Sequence, residues 1–347
     1  MVLSMANELA RRSPNLAIQA FARANKPNAM FDDYRLRKAP RTILNQDIDL
    51  DLFSEYLDGI GMTVSANELN SLPTAWSEVT WQSVEGFMLW MIAIGYSTAS
   101  VSRRLSTVKV YAKLAMRAGS LSTDQQLRIA AVKAYTGQEG NRLDARREAT
   151  GLPTRIGHKK VNHTSLTIEQ ATALKRQPDT PQGRRDALLM CILIDHGLRV
   201  GEVAALEIGS FDQRRGTMRF YRPKVDLTQT HQLSVDTKSA LRAYLLNDID
   251  QSSDGSIWRA SKVSHELGEH GWTVNGIQKR VEELGERIEV FNLSPHDCRH
   301  YWATRAGAGV EAGKFSLFQL QEAGGWKTLA MPRHYVEWAA IANRGMV

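Results

Sequence analysis

Cysteine is scarce in this 347-residue chain: Cys191 and Cys298 are the two, and both stand in segments whose pattern reads as helix. A disulfide framework is therefore not expected, and a reducing, cytoplasmic setting is the natural inference. Long hydrophobic runs are missing as well. The longest strongly apolar stretch, Phe87 to Ile94, is far too short to span a bilayer, so no membrane partner is expected. The opening residues do not have the pattern of a secretory signal. Acids are sparse over residues 1–30, where Arg11, Arg12, Arg23 and Lys26 suggest a flexible basic arm rather than an organellar transit peptide. Low-complexity tracts and internal repeats are absent too, and the 43% hydrophobic and 23% charged residues are those of an ordinary globular protein. The formal net charge of +7 favours a polyanionic partner, because lysines and arginines that neutralise phosphates release condensed counterions.

What is present is mostly helix. Leu50, Phe53, Leu57 and Ile60 recur at helical spacing, and an apolar-periodic run follows from Trp76 to Ile94. After Gly95, Ser97 and Thr98 offer N-caps for a helix that reaches about Arg117 and closes at Gly119. A further helix is predicted from Ser122 to about Tyr135. From Ser165 onward, helices are predicted over 167–176, 184–196, 237–247, 274–288 and 296–308, with short helices at the end. Alternation over Thr217–Arg222 and His231–Val235, joined by a polar turn, predicts a hairpin. The expected fold class is mainly α with a small antiparallel β-sheet. Its expected parts are a basic N-terminal arm (1–45), a helical domain (46–136), a basic linker (137–164) and a C-terminal mixed α+β domain (165–347).

Two groups of basic residues are candidates for DNA contact. Arg103, Arg104, Lys109 and Lys113 alternate with apolar Val101, Leu105, Val108 and Leu114. They form either a solvated face of an amphipathic helix or a helix laid on phosphates, and the sequence does not choose. In the glycine-interrupted stretch 137–162, Arg146, Arg147, Lys159 and Lys160 would let a linker track a phosphate backbone.

Four separated segments carry residues suited to phosphoryl transfer. In Gly197-Leu198-Arg199-Val200-Gly201-Glu202, Glu202 lies three residues after Arg199, on the same helical face, and can hold its guanidinium. Lys224 sits near the hairpin tip, where it is either a proton donor or an ordinary exposed lysine. In Ser294-Pro295-His296-Asp297-Cys298-Arg299-His300, His296 and Arg299 share a face and can converge on one anionic oxygen. The His296, Cys298, His300 spacing does not make a metal site, because Cys298 projects elsewhere and no second ligand pair follows. Last come Gly324-Gly325-Trp326, whose indole N–H is a donor, and Tyr335 nine residues on.

Each segment alone is unspecific, but their order resembles the tyrosine recombinase or phage integrase family. That order is Arg with Glu three later, hairpin Lys, His-x-x-Arg, Gly-Gly-Trp, then Tyr. The Gly-Gly-Trp326 stretch is similar to the Cre-like branch, and the His296-to-Thr304 stretch to the Xer-like branch. The resemblance covers residues 165–347, and residues 47–135 resemble the family's core-binding domain.

It implies a site-specific recombinase in which Tyr335 attacks a phosphodiester to give a 3′-phosphotyrosine. Arg199 and Arg299 would clamp the non-bridging oxygens, and His296 and Trp326 would add hydrogen bonds. His296 would also be a candidate to accept the tyrosine proton, and Lys224 would protonate the leaving 5′ oxygen. Glu202 and His300 would support these residues. No cofactor is implied, because the phosphotyrosine conserves the energy of the bond. The implied partners are duplex DNA with specific recombination sites and a homotetramer docked through the tail, residues 336–347, at the nucleoid. Two rivals are a type IB topoisomerase and a non-catalytic DNA-binding regulator; complete retention of the six residues argues against the second.

Overall fold

The computed structural model describes residues 29–151, 163–250, 254–261, 266–268 and 271–339, and of residues 29, 148 and 337–339 the backbone alone. The chain divides into two compact units, Met1–Lys159 and Lys160–Val347. The fold is mainly α with one three-stranded antiparallel sheet among the described residues.

In the first unit the described helices are α1 (Ala29–Leu36), α2 (Pro40–Gly59), α3 (Ala66–Ser71), α4 (Trp81–Ala93), α5 (Thr98–Arg117), α6 (Thr123–Ala131) and α7 (Gly137–Thr150). Their boundaries follow local chemistry. The Ser97 hydroxyl caps α5 by accepting the Ser100 N–H, and Ser122 does the same for α6 from Gln125. The apolar run expected from Trp76 is broken, because Pro73–Trp76 forms a 3₁₀ turn and Thr80 and Ser83 exchange the bonds of a capping box at the start of α4. Phe31, Phe53, Trp76, Phe87 and Tyr111 are fully buried and pack into one core. Phe31 lies in that core, and helices cover residues 29–36 and 40–45 of the stretch read as a basic arm. Arg11, Arg12, Arg23 and Lys26 lie outside the described residues.

The stretch expected as linker also departs from its reading. Residues 137–150 form α7, started by a reciprocal pair in which Glu139 accepts the Thr136 N–H at 2.7 Å and Thr136 accepts from Glu139 N–H. A capping box at the first turn outweighs the weak helix propensity of Gly137 and Gly140.

The second unit contains α8 (Ile168–Lys175), α9 (Pro181–His196), α10 (Val200–Ala204), β1 (Phe211–Asp212), β2 (Thr217–Arg222), β3 (Leu227–Gln232), α11 (Val235–Asp248), α12 (Val274–Glu286), α13 (Pro295–Glu311), α14 (Leu317–Gly324) and α15 (Ala330–Ala339). The second hairpin strand begins at Leu227 rather than His231, so the turn is only residues 223–226. Pro223 presets its first dihedral and Asp226 adopts a left-handed φ of 54°. Ser234 then caps α11, which ends the strand before Val235. Leu189, Ile192, Met218, Trp258, Val281 and Cys298 lie at the centre of this unit's core.

Candidate active site

The site is built where α9, the hairpin, α13, α14 and α15 meet within the second unit. Helix α9 ends at Gly197, whose φ is 61° and where a Cβ would stand 2.3 Å from the Trp302 ring. Only glycine fits that turn. Leu198 is buried as an anchor, and Arg199 becomes the N-cap of α10. Glu202, at the third position of α10, reaches back: its Oε2 accepts the Arg199 N–H at 2.9 Å and its Oε1 accepts Arg199 Nη1 at 2.8 Å.

The same carboxylate receives a second arginine that sequence reasoning passed over. Arg222 is fully buried, donates from Nη1 to Glu202 Oε2 at 2.8 Å, and donates from Nη2 to the Ala323 carbonyl at 2.8 Å. Its Nε bonds Gln229, which in turn bonds the Glu322 carbonyl. A signal was available: Met218, Phe220 and Arg222 alternate on the buried face of β2, so a charge was being sent inward.

Arg299 completes the frame. It is 3% exposed and donates to the Gly197 carbonyl and, at 2.6 Å, to the Gly324 carbonyl. The last carbonyls of α14 are thus taken by Gln229, Arg222 and Arg299, the two guanidiniums matching the negative end of the helix. Burial, then the charges of Arg199 and Arg222, pull the Arg299 pKa down to about 9, where an arginine still carries its proton at neutral pH. Three guanidiniums gathered around one carboxylate leave an excess of positive charge, which suits a phosphodiester.

Helix α14 closes at Gly325, with φ 59° and the Arg222 side chain packed where a Cβ would lie. Trp326 then packs with its ring 5.1 Å from the Arg299 guanidinium, 6.0 Å from the Trp302 ring and 5.6 Å from the Tyr335 ring. Tyr335 is 2% exposed, and burial raises its pKa above the ordinary value, with Arg299 opposing.

The Tyr335 hydroxyl lies 3.0 Å from His300 Nδ1, and His300 Nε2 lies 3.0 Å from His296 Nε2. His300, one turn after His296 on α13, is thus the imidazole that the described contacts place against the Tyr335 hydroxyl. His163 was not foreseen. Asp297 caps α13 and also accepts the Thr164 N–H at 3.0 Å, which lays the His163 ring 3.6 Å from the His300 ring. No sequence signal marks His163, since it is brought in from 137 residues away.

Lys224 stands exposed in the hairpin turn and makes no hydrogen bond or ion pair among the described residues. Arg199, Glu202, Arg299, Trp326, His300 and Tyr335 are thus linked by described contacts, and Lys224 is bonded to none of them. No cluster of His, Cys, Asp or Glu suited to a metal occurs among the described residues.

The candidate DNA residues of the first unit are placed differently. Arg103 donates to Asp49 at 2.7 Å, Arg104 stacks 4.3 Å from the Tyr96 ring, and Lys109 donates to the Ala130 and Val132 carbonyls. Arg147 is buried and donates to the Tyr96 carbonyl at 3.0 Å and to that of Ile92. Lys113 and Arg146 are exposed, while Lys159 and Lys160 lie outside the described residues.

Residues 164–340 match the family model described as the phage integrase family. The chain belongs to that family. Relatives include the tyrosine recombinase XerC of Roseiflexus castenholzii, 24% identical over 296 residues, with 85% of this chain and 82% of that one covered. XerC of Pelotomaculum thermopropionicum is 31% identical over 160 residues, 42% of this chain and 50% of that one. Among solved structures, a lambda integrase tetramer bound to a Holliday junction aligns with TM-score 0.56 and 13% identity, covering 89% of this chain and 75% of that one. The Tn1549 transposon integrase in complex with transposon right end DNA aligns with TM-score 0.55 and 14% identity, covering 89% and 94%. These likenesses show the two-domain integrase fold. As a member of the phage integrase family, the protein is a tyrosine recombinase, a DNA breaking and rejoining enzyme. No described helix is long and apolar enough to cross a membrane.

Proposed function

We propose that this recombinase acts at specific DNA sites through a covalent 3′-phosphotyrosine at Tyr335. The observation that carries the reading is the Tyr335 hydroxyl, bonded to an imidazole beside a buried arginine within a cluster of three guanidiniums. Arg199 and Arg299 bind the non-bridging phosphate oxygens, Arg299 exchanging its carbonyl partners for phosphate. Those cations concentrate positive charge where negative charge develops in the transition state. Trp326 offers its indole N–H to a phosphate oxygen. Lys224, exposed on a short hairpin, gives its proton to the leaving 5′ oxygen. A hydroxyl from a partner strand then attacks the adduct and restores the phosphodiester.

The reading extends to assembly. Four protomers act on two sites at the nucleoid, as the lambda integrase tetramer on a Holliday junction suggests. The tail, residues 336–347, would join neighbouring protomers; α15 carries its backbone to Ala339, and Ile341 and Ala342 lie outside the described residues. Residues 46–136 would serve as a core-binding domain and 137–164 as the connection to the catalytic domain, 165–347. Lys113 and Arg146, exposed cations of the first unit, would meet phosphates, and Lys159 and Lys160 are proposed to do so as well.

The test is covalent trapping on nicked, randomised duplexes. Wild type is expected to give adducts that survive detergent and Tyr335→Phe none, while both bind DNA. Selective DNA binding by wild type without any adduct would instead favour a regulator.

A further inference from the structure

We propose that the Tyr335 proton is received by His300 and passed on to His296, the two imidazoles forming a relay. This rests on the reading of Tyr335 as nucleophile and assigns the base that reading requires.

The geometry is continuous. Tyr335 Oη and His300 Nδ1 are 3.0 Å apart, and so are His300 Nε2 and His296 Nε2. A neutral imidazole has one N–H and one lone pair, so an Nε2–H directed at His296 leaves the Nδ1 lone pair facing the tyrosine hydroxyl. His300 is kept neutral by its surroundings. Burial, then the neighbouring His163 and His296, lower its pKa to about 4, with Asp297 opposing and Arg299 adding to the effect.

Among the described residues, the groups that face the pair come from three places. His163 stacks from the segment before α8, His296, Asp297 and Arg299 lie on α13 itself, and Tyr335 comes from α15, with the His334 ring 6.3 Å from it. Burial and the Arg299 cation disfavour a lasting imidazolium there, so the proton is moved on rather than stored.

The atoms balance as follows. The Tyr335 Oη–P bond forms as the P–O5′ bond breaks, and the Oη proton goes to His300 Nδ1. The His300 Nε2 proton goes to His296 Nε2, and the Lys224 ammonium supplies the proton that O5′ takes up. The relay carries the proton from the hydroxyl of a buried tyrosine to a histidine at the surface. His296 sits in the first turn of α13, where the positive helix end favours release of that proton to solvent.

The test measures the rate of adduct formation on nicked duplex for wild type, Tyr335→Phe, His300→Ala and His300→Phe. The relay predicts that His300→Ala slows the step by roughly 10²–10⁴-fold, the usual range for a lost general base. Added imidazole should restore much of that rate, and higher pH should raise it, as the tyrosine comes to ionise unaided. His300→Phe, which fills the space without a lone pair, should be slow and gain nothing from imidazole. A wild-type rate for His300→Ala, or a loss that neither imidazole nor pH repairs, would overturn the relay while Tyr335→Phe still gave no adduct. An adduct from Tyr335→Phe would overturn the nucleophile reading and the relay with it.

Discussion

Arg199 and Arg222 share one carboxylate: Glu202 accepts Arg199 Nη1 on Oε1 and Arg222 Nη1 on Oε2, each at 2.8 Å. Arg222 carries the link onward to the Ala323 carbonyl, so the proposed phosphate clamp is fixed relative to the turn that presents Trp326. Glu202→Gln would keep the shape but leave the buried guanidinium of Arg222 without a counter-charge. The expected loss is about 3–5 kcal/mol of stability, that of breaking a buried pair, measured by urea unfolding. Unchanged stability would mean the charge of Glu202 is not needed.

Arg299→Lys tests geometry rather than charge. An ammonium lacks the planar fork that holds the Gly197 and Gly324 carbonyls and would turn from them to a phosphate. Adduct formation is expected to fall by about 10²–10³-fold, the loss seen when one oxyanion donor is removed. Single-turnover cleavage checks it.

Lys224→Ala should leave stability within about 0.5 kcal/mol, as for surface substitutions generally. Cleavage of ordinary DNA should slow by roughly 10²–10⁴-fold if the lysine is the acid. A substrate with sulfur at the bridging 5′ position leaves as a thiolate that needs no proton, so the variant should cleave it at the wild-type rate. An equal defect on both substrates would point to a different role.

Stability should fall in mild acid. Burial lowers His196 from 6.5 to about 4 and His231 from 6.5 to about 3. Both are depressed in the folded chain, so the unfolded chain binds more protons once the pH drops below about 6.5. The stability they contribute is complete above that pH and is lost as pH falls toward the folded values. Thermal melts between pH 7 and 4 should show a falling midpoint, and His196→Gln should flatten the curve. A flat wild-type profile would contradict the assignment.

Much of this was legible because local chemistry and chemical order are written in the chain. Ser97 and Ser122 marked helix starts by capping, and Arg199, Glu202, Arg299, Trp326 and Tyr335 stood out as candidates by their order along the chain. The parts that were not legible are tertiary. Arg222 is identified as a framework residue only once its burial is seen, although the alternation of β2 hinted at it. His163 reaches the site through Asp297, and the contact of Tyr335 with His300 depends on how α15 packs on α13. Helix α7 lies in a stretch whose glycines read as a linker, while the Thr136–Glu139 capping pair that starts it went unread.

The central claim, that Tyr335 becomes covalently joined to DNA, is tested most directly by mass spectrometry of the trapped adduct after nuclease and trypsin digestion. The account predicts a nucleotide phosphate on Tyr335 within the peptide from His334 to Arg344. A nucleotide found on any other residue would contradict it.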